Sequence, residues 1–286
     1  MREILATGRY FGSASVLYLK PAFQGNTAIS ERISGNTSTL DFDYEGAPQF
    51  QIGFESKYGP GIELTYWQYD ESSNVSTFTS DGVESGTTSV WMRGANQWTR
   101  LAANNLGDTL AAIHSLDVES IGVSFFKQVQ LPISRINGKF GMQYVSIIHE
   151  FQANLTDGSA TSLGEVRARS DMRGYGPSIK LEYFRPVGHT KLELLTTFGS
   201  SVIFGHQDQF VFNSSAGDQS RIGADEFLTI FDFMAGLQYQ KMIAENRNWF
   251  VRSGFVFQSW LNGGTAILPQ DDFGLRGFVF TIGYNR

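Results

Sequence analysis

PQFQIGFESKYGPGIELTYWQYD, residues 48–70, alternates apolar and polar side chains on both sides of a Gly-Pro-Gly break. Phe50, Ile52, Phe54 and Tyr58 share one parity, with Gln49, Gln51, Glu55 and Lys57 on the other. Past the break, Ile62, Leu64 and Tyr66 oppose Glu63, Thr65 and Trp67. A period of two marks strands with one dry and one wet face, and the short break joins them as a hairpin. A hairpin cannot bury a face by itself. Its apolar side must meet either a second layer of protein or lipid.

Similar segments recur along the chain. Strands fit residues 9–20, 175–185, 191–204, 227–241, 249–260 and 275–285. Another fits 116–127, where the apolar parity shifts between Val118 and Ile121, the mark of a bulge or of a mixed environment. Residues 139–151 are strand-like but apolar on both parities in the middle. With the opening hairpin these make ten strands, and a further hairpin within 86–100 would make twelve. The connections alternate in length. Those at 21–47, 70–115, 154–173, 205–226 and 262–273 are long and rich in Gly, Ser, Asn, Asp and Thr. KYGPG, RPVGHT and IAENRN are short, and QVQLPISRING is intermediate. Long loops at one end and tight turns at the other, with both termini at the turn end, fit an all-β, antiparallel up-and-down transmembrane barrel. The expectation is a single domain over 1–286 with about 10–12 strands. Residues 99–116 read as loop with room for one short helix, since Asn104, Asn105 and Gly107 break the helical period. Loop 70–115 is long enough to fold inward.

Composition limits the alternatives. The chain has 286 residues, 24 Phe, 31 Gly, 7 Pro, no Cys and a net charge of −6. Disulfides and Cys-ligated metals are excluded, and scattered Lys and Arg argue against a nucleic-acid partner. No apolar run reaches the roughly 18 residues of a spanning helix. The mean hydropathy of −0.18 is what alternating strands give. MREILATGRYFG at the start carries no basic-then-apolar leader, so an export signal is expected to have been removed or to lie upstream of Met1.

Aromatic placement favours lipid over a protein core. Tyr58, Tyr66, Tyr175, Tyr183, Tyr239, Trp249 and Tyr284 sit near strand ends on the apolar parity, where amphipathic rings meet headgroups. The segments exceed the five or six residues typical of soluble sheets and match the ~9–11 of tilted membrane strands. The expected lipid-facing set is Phe50, Ile52, Phe54, Ile62, Leu64, Tyr66, Ile179, Leu181, Phe231, Phe233, Phe255, Phe257, Phe278 and Phe280. The expected lumen-lining set is Gln51, Glu55, Lys57, Glu63, Lys180, Glu182, Lys191, Glu193, Asp232, Gln238, Arg252 and Gln258, with Trp67 beside them. Gly53, Gly174, Gly176 and Gly254 on the polar parity leave room in a lumen or mark bends. The mixed charge points to salt bridges across a narrow interior rather than to a ring of one sign. Ten to twelve strands enclose less space than the 16–18 of wide porins.

Catalytic signatures are missing. His114, His149, His189 and His206 show no metal-ligand spacing and read as solvated or interfacial. No Gly-x-Ser-x-Gly elbow occurs, and Ser146 with His149 lacks a third member. Asp117 and Glu119 share a strand face but read as a wet wall or a loop anchor. The residues imply no enzyme, cofactor or metal.

Several stretches resemble the pore-forming outer-membrane protein family typified by the Legionella major outer membrane protein. They are LDFDYEGAPQFQIGFE (40–55), GIELTYWQYD (61–70), LDVES (116–120), GYGPSIKLEYFRPVG (174–188), SVIFG (201–205) and VRSGFVFQSWL (251–261). The resemblance implies a barrel in the outer membrane of a Gram-negative-type bacterium. It departs at Gln143 and Gly199, where the family's inward faces carry Arg, and at the C-terminal GYNR, which lacks a terminal Phe. The expected function is a porin-like passive channel for ions or small hydrophilic solutes, with outer-membrane lipid as its surroundings. A non-conducting structural or adhesion barrel whose loops bind surface partners is the alternative, and a soluble β-sandwich binding module is a second one.

Overall fold

The computed structural model describes residues 8–23, 27–57, 59–244, 247–268 and 271–285; Tyr58 lies outside them. Among the described residues no helix forms, and fifteen strands do. They are β1 (Arg9–Phe23), β2 (Thr27–Glu31), β3 (Thr37–Thr39), β4 (Glu45–Glu55), β5 (Pro60–Ser72), β6 (Ser76–Thr79), β7 (Gly86–Met92) and β8 (Gln97–Ala103). Then come β9 (Thr109–Leu131), β10 (Ser134–Thr156), β11 (Ser162–Pro186), β12 (Leu192–Asn213), β13 (Asp218–Ala244), β14 (Arg247–Leu261) and β15 (Phe273–Asn285).

Eleven of these form one antiparallel sheet in the order β10-β11-β12-β13-β14-β15-β1-β4-β5-β9-β6. β9 pairs again with β10, which closes ten of them into a barrel, and short β6 pairs with the loop-end part of β9 beyond the end of β5. Closure gives each of the ten barrel strands a neighbour on both sides, which excludes the sandwich. The opening hairpin is β4–β5, paired from Gln49↔Trp67 to Glu55↔Gly61. Its turn requires Gly59, whose φ of 96° lies where only glycine is unstrained. The QVQLPISRING connection is shorter than its sequence implies, because β9 runs to Leu131 and β10 restarts at Ser134. Both chain ends meet at this turn end, where Phe11 pairs with Asn285.

At the loop end the strands outrun the sequence reading. Residues 154–173 and 205–226, expected as loops, are mostly continuations of β10–β11 and β12–β13, joined by short turns after Thr156 and Asn213. Polar outward positions such as Arg167, Arg169 and Asp171 concealed them. The hairpin within 86–100 does form, but it adds no barrel strand. It joins a separate sheet ordered β3-β2-β7-β8, and 99–116 become the end of β8 and the start of β9 rather than a helix.

The parity shift in β9 has a physical cause. Leu110, Ala112, His114, Leu116 and Val118 point inward and are buried. From Ile121 on, the apolar residues Ile121, Val123 and Phe125 point outward and are exposed, leaving Ser120, Gly122 and Ser124 inside. The pairings of β9 with β5 and β10 run through this point without a register shift. The solvent changes while the backbone keeps its phase. β10 behaves alike, with Val145, Ile147 and Phe151 buried inside and Phe140, Met142 and Tyr144 exposed outside. So does β11, with Val166, Ala168 and Met172 inside but Tyr175, Ile179 and Leu181 outside. The loop-end half is polar outside with an apolar core, and the turn-end half is the reverse.

The inward glycines serve close packing of the wall. A Cβ on Gly176 would lie 1.8 Å from the carbonyl oxygen of Val202, and one on Gly174 2.5 Å from that of Phe204. Backbone occupies the space a side chain would need.

Candidate functional site

The site is the barrel interior, blocked in two successive layers. In the turn-end half, side chains from β5, β10, β11, β12, β13 and β14 converge. Lys139 on β10 donates to both oxygens of Glu63 at 2.9 and 2.8 Å and lies 2.9 Å from Glu182. Asn137 donates to the other Glu182 oxygen at 3.0 Å. Arg135 and Gln238 both donate to Glu193, at 2.7 and 2.8 Å, and Arg252 donates to Gln238 at 2.5 Å. The guanidinium of Arg252 stacks 4.4 Å from the Phe250 ring, and that of Arg135 4.2 Å from Phe184. Farther in, Gln258 donates to Asp232 at 2.8 Å. Buried charges are tolerated only when paired and hydrogen-bonded. Glu63, Glu182 and Glu193 each meet that demand through Lys139 or Arg135, while Arg135 Nε, Asn137 Oδ1 and Gln258 Oε1 are buried without a partner among the described residues.

Gln51, Glu55, Glu63, Glu182, Gln238 and Arg252 line a chamber of about 330 Å³. Lys180, Asp232 and Gln258 line two smaller ones, of about 110 and 80 Å³. All three touch Glu63 and Lys139. The smaller two are large enough for a few waters each. Glu193 is half-buried at the network's edge, whereas Lys57 and Lys191 depart from the expected lumen set. They stand exposed in the turns flanking β5 and β12, because their strands end before reaching them. The sequence reading missed Arg135, Asn137 and Lys139 as members. Starting that strand at 139 instead of 134 hid the inward row Arg135, Asn137, Lys139, Gln143. Gln143 donates to Ser120 at 2.9 Å and accepts from Ser201 at 2.6 Å.

In the loop-end half the closure is aromatic. His114 and His149 stack with ring centroids 5.4 Å apart. Phe23 packs on His114 at 5.1 Å, Phe42 on His114 at 5.6 Å and Phe273 on His149 at 5.3 Å. Trp260 stacks on Phe273 at 5.4 Å and meets the edge of Trp67 at 6.2 Å. These rings come from β1, the segment before β4, β5, β9, β10, β14 and β15, so they knit most of the circumference together. The two histidines are therefore buried, not solvated or interfacial as their sequence context implies. Among the described residues no ring nitrogen of either makes a hydrogen bond of ordinary geometry. Burial drives the His114 pKa down to about 3. His149 is held well below the usual range by burial and by His114, with the Gly263 backbone opposing slightly. Ser146 shares neither face nor contact with His149, since it lies on the outward parity.

Hairpin β7–β8 lies over this seal, as the length of loop 70–115 allows. Val90, Met92, Leu101 and Ala103 are fully buried in the core beneath it. Arg93 at its tip pairs with Glu226 on β13, and its backbone N–H donates to Gln209 on β12 at 3.1 Å. Asn213 donates to Thr99 at 2.7 Å and to the Arg100 carbonyl at 2.9 Å.

On the outer wall Phe50, Ile52, Ile62, Leu64, Ile179, Leu181, Phe231, Phe233, Phe255, Phe257, Phe278 and Phe280 are exposed. Phe54 and Tyr66 are half-exposed, Phe54 against Tyr10 with centroids 5.0 Å apart. Above this belt the outward residues are charged. Arg173 donates to both oxygens of Asp171 at 3.0 and 2.9 Å, and His206 lies 2.9 Å from Asp225. Burial raises the Asp117 pKa, helped by Asp70 and Glu119 and opposed by Arg169. Among the described residues no cluster of metal-ligand type forms.

Among solved structures, the outer membrane protease OmpT from Escherichia coli is 11% identical with a TM-score of 0.51, over 97% of this chain and 96% of that one. A major outer membrane protein from Thermus thermophilus is 9% identical with a TM-score of 0.37, over 98% and 99% of the two chains. The translocator domain of the autotransporter NalP from Neisseria meningitidis is 11% identical with a TM-score of 0.37, over 99% and 92%. At such identities the likeness to OmpT is one of fold. Among curated proteins no sequence matches. A family model described as the Legionella pneumophila major outer membrane protein precursor matches residues 7–285, and the chain therefore belongs to that outer-membrane family.

Proposed function

We propose that the protein is an outer-membrane barrel that rests closed, without catalysis, and presents the sheet β3-β2-β7-β8 at the cell surface. Its outer belt, including the fourteen apolar residues from Phe50 to Phe280, meets lipid, and its turn end faces the periplasm. The observation that carries this reading is the aromatic seal of Phe23, Phe42, His114, His149, Phe273, Trp260 and Trp67, stacked across the interior above a network that Lys139 holds together. A solute crossing would have to displace both layers. The reading is tested in planar bilayers, where the wild-type protein is expected to give no conductance steps. Steady steps at neutral pH would overturn it.

The mixed charges around the 330 Å³ chamber favour a second reading, a gated passive channel for ions or small hydrophilic solutes. The gate would be hairpin β7–β8, whose tip is held by Arg93. Deleting residues 86–103 separates the two: steps appear if the hairpin is a gate, and silence persists if the seal closes the barrel alone.

A further inference from the structure

The outer wall carries one feature that a uniform lipid belt does not need. Outward positions on β9 from Ile121 to Leu131 are Ile121, Val123, Phe125, Lys127, Val129 and Leu131, so a cation stands in an apolar row. A charge facing hydrocarbon is costly and needs an anionic partner. Among the described residues the Lys127 ammonium makes no hydrogen bond or ion pair. Across the sheet it is paired with Pro60 on one side and Gly138 on the other, and neither reaches over it.

Those small neighbours leave a groove. It holds about 500 Å³, with Gly138 at its floor, Phe125, Phe140, Ile179, Leu181 and Phe198 as walls, and Lys127 at its rim. Gly138 is not there for its backbone. Its φ is not positive, and an added Cβ would meet nothing within 4 Å. An ordinary apolar residue would fit, fill the groove and add to the belt. Lys127 is four residues from the turn end of β9 and eight from Glu119 at the outer rim, so the turn end is the nearer interface for its stem to snorkel to.

We propose that this groove is a binding site for an anionic glycerophospholipid of the turn-end leaflet, one acyl chain lying over Gly138 and its phosphate on the Lys127 ammonium. The site combines apolar shape with a single complementary charge, and it rests on the reading that the outer wall meets lipid. Lipopolysaccharide is a poorer occupant because its phosphates gather at the opposite rim, among Arg169, Arg173 and the carboxylates there.

The experiment reconstitutes the full chain in vesicles of equal phosphatidylglycerol and phosphatidylcholine. The protein is extracted in mild detergent, and the lipids it retains are counted by native mass spectrometry. Insertion is scored separately by heat-modifiable gel mobility. Wild type is expected to retain phosphatidylglycerol selectively. Lys127→Gln should lower the phosphatidylglycerol preference about fivefold, the worth of one lysine at an anionic lipid surface, and Lys127→Arg should keep it. Gly138→Leu should insert normally yet lose the retained phosphatidylglycerol. Insertion with an unchanged preference in Lys127→Gln, or full retention in Gly138→Leu, overturns the site while leaving the lipid-facing wall intact. So does preferential retention of lipopolysaccharide when both are offered. Failure of the wild type to insert overturns the wall and the site together.

Discussion

Replacing Lys139 by methionine removes the cation on which two buried carboxylates depend. The ammonium and both partners are at most 10% exposed, so water cannot replace it. Three short contacts vanish at once, two to Glu63 and one to Glu182. Glu182 keeps only Asn137, and Glu63 keeps the weak 3.4 Å approach of Thr65. Breaking a buried pair by removing one partner costs about 3–5 kcal/mol, most of it the stranded charge. The remedy follows from the same account. Adding Glu63→Gln removes one stranded anion, and Glu182 remains in the field of Arg252. The double variant should recover at least about 2 kcal/mol over Lys139→Met alone. Urea unfolding in vesicles, followed by tryptophan fluorescence and gel mobility, measures all three proteins. A Lys139→Met cost below about 1 kcal/mol, or a double variant less stable than the single, would refute the claim that charge pairing holds this layer.

Other outcomes follow from the two-layered interior. Ile62→Arg places a charge on the outer belt and should cost about 2–4 kcal/mol, seen as failed assembly into vesicles, whereas Gln51→Arg points into the 330 Å³ chamber and should still assemble. Because burial lowers both histidine pKa values, the unfolded chain binds more protons than the folded one as pH falls below about 6.5. Stability present above that pH should therefore fall by about 2 kcal/mol on going from pH 7.5 to 5 through His114 alone, with His149 adding a loss in the same direction. The urea midpoint of His114→Phe/His149→Phe should move much less. Arg93→Ala should free the hairpin tip from Glu226, so that trypsin cuts near Arg100 in folded protein while the barrel band on the gel persists.

Legibility differed between the two halves of the barrel. In the turn-end half one solvent meets each parity, so Phe50, Ile52, Ile62 and Leu64 declare their side and all ten strands are visible in the sequence. In the loop-end half the rule reverses, and Val166, Ala168 and Met172 alternate with Arg167, Arg169 and Asp171 in a pattern that resembles polar loop. Val118 and Ile121 held the clue, since their opposite parities within one strand mark the crossover. The interior was only partly readable. Glu63, Glu182 and Arg252 follow from parity, but their common partner Lys139 lay at a misplaced strand start. His114, His149, Phe23 and Phe273 come from four strands, and nothing local to any of them announces that they stack.

The exchange of inside and outside chemistry along β9, β10 and β11, without a bulge, also constrains how such a chain can change over generations. Both halves of a strand are written in one phase, so a single-residue insertion or deletion in either would expose the core of the other to the wrong medium. Strands of this barrel can lengthen or shorten only by even steps, matched on both neighbours. Length variation that is odd or unpaired is confined to turns such as 157–161 and 214–217, where no phase is transmitted.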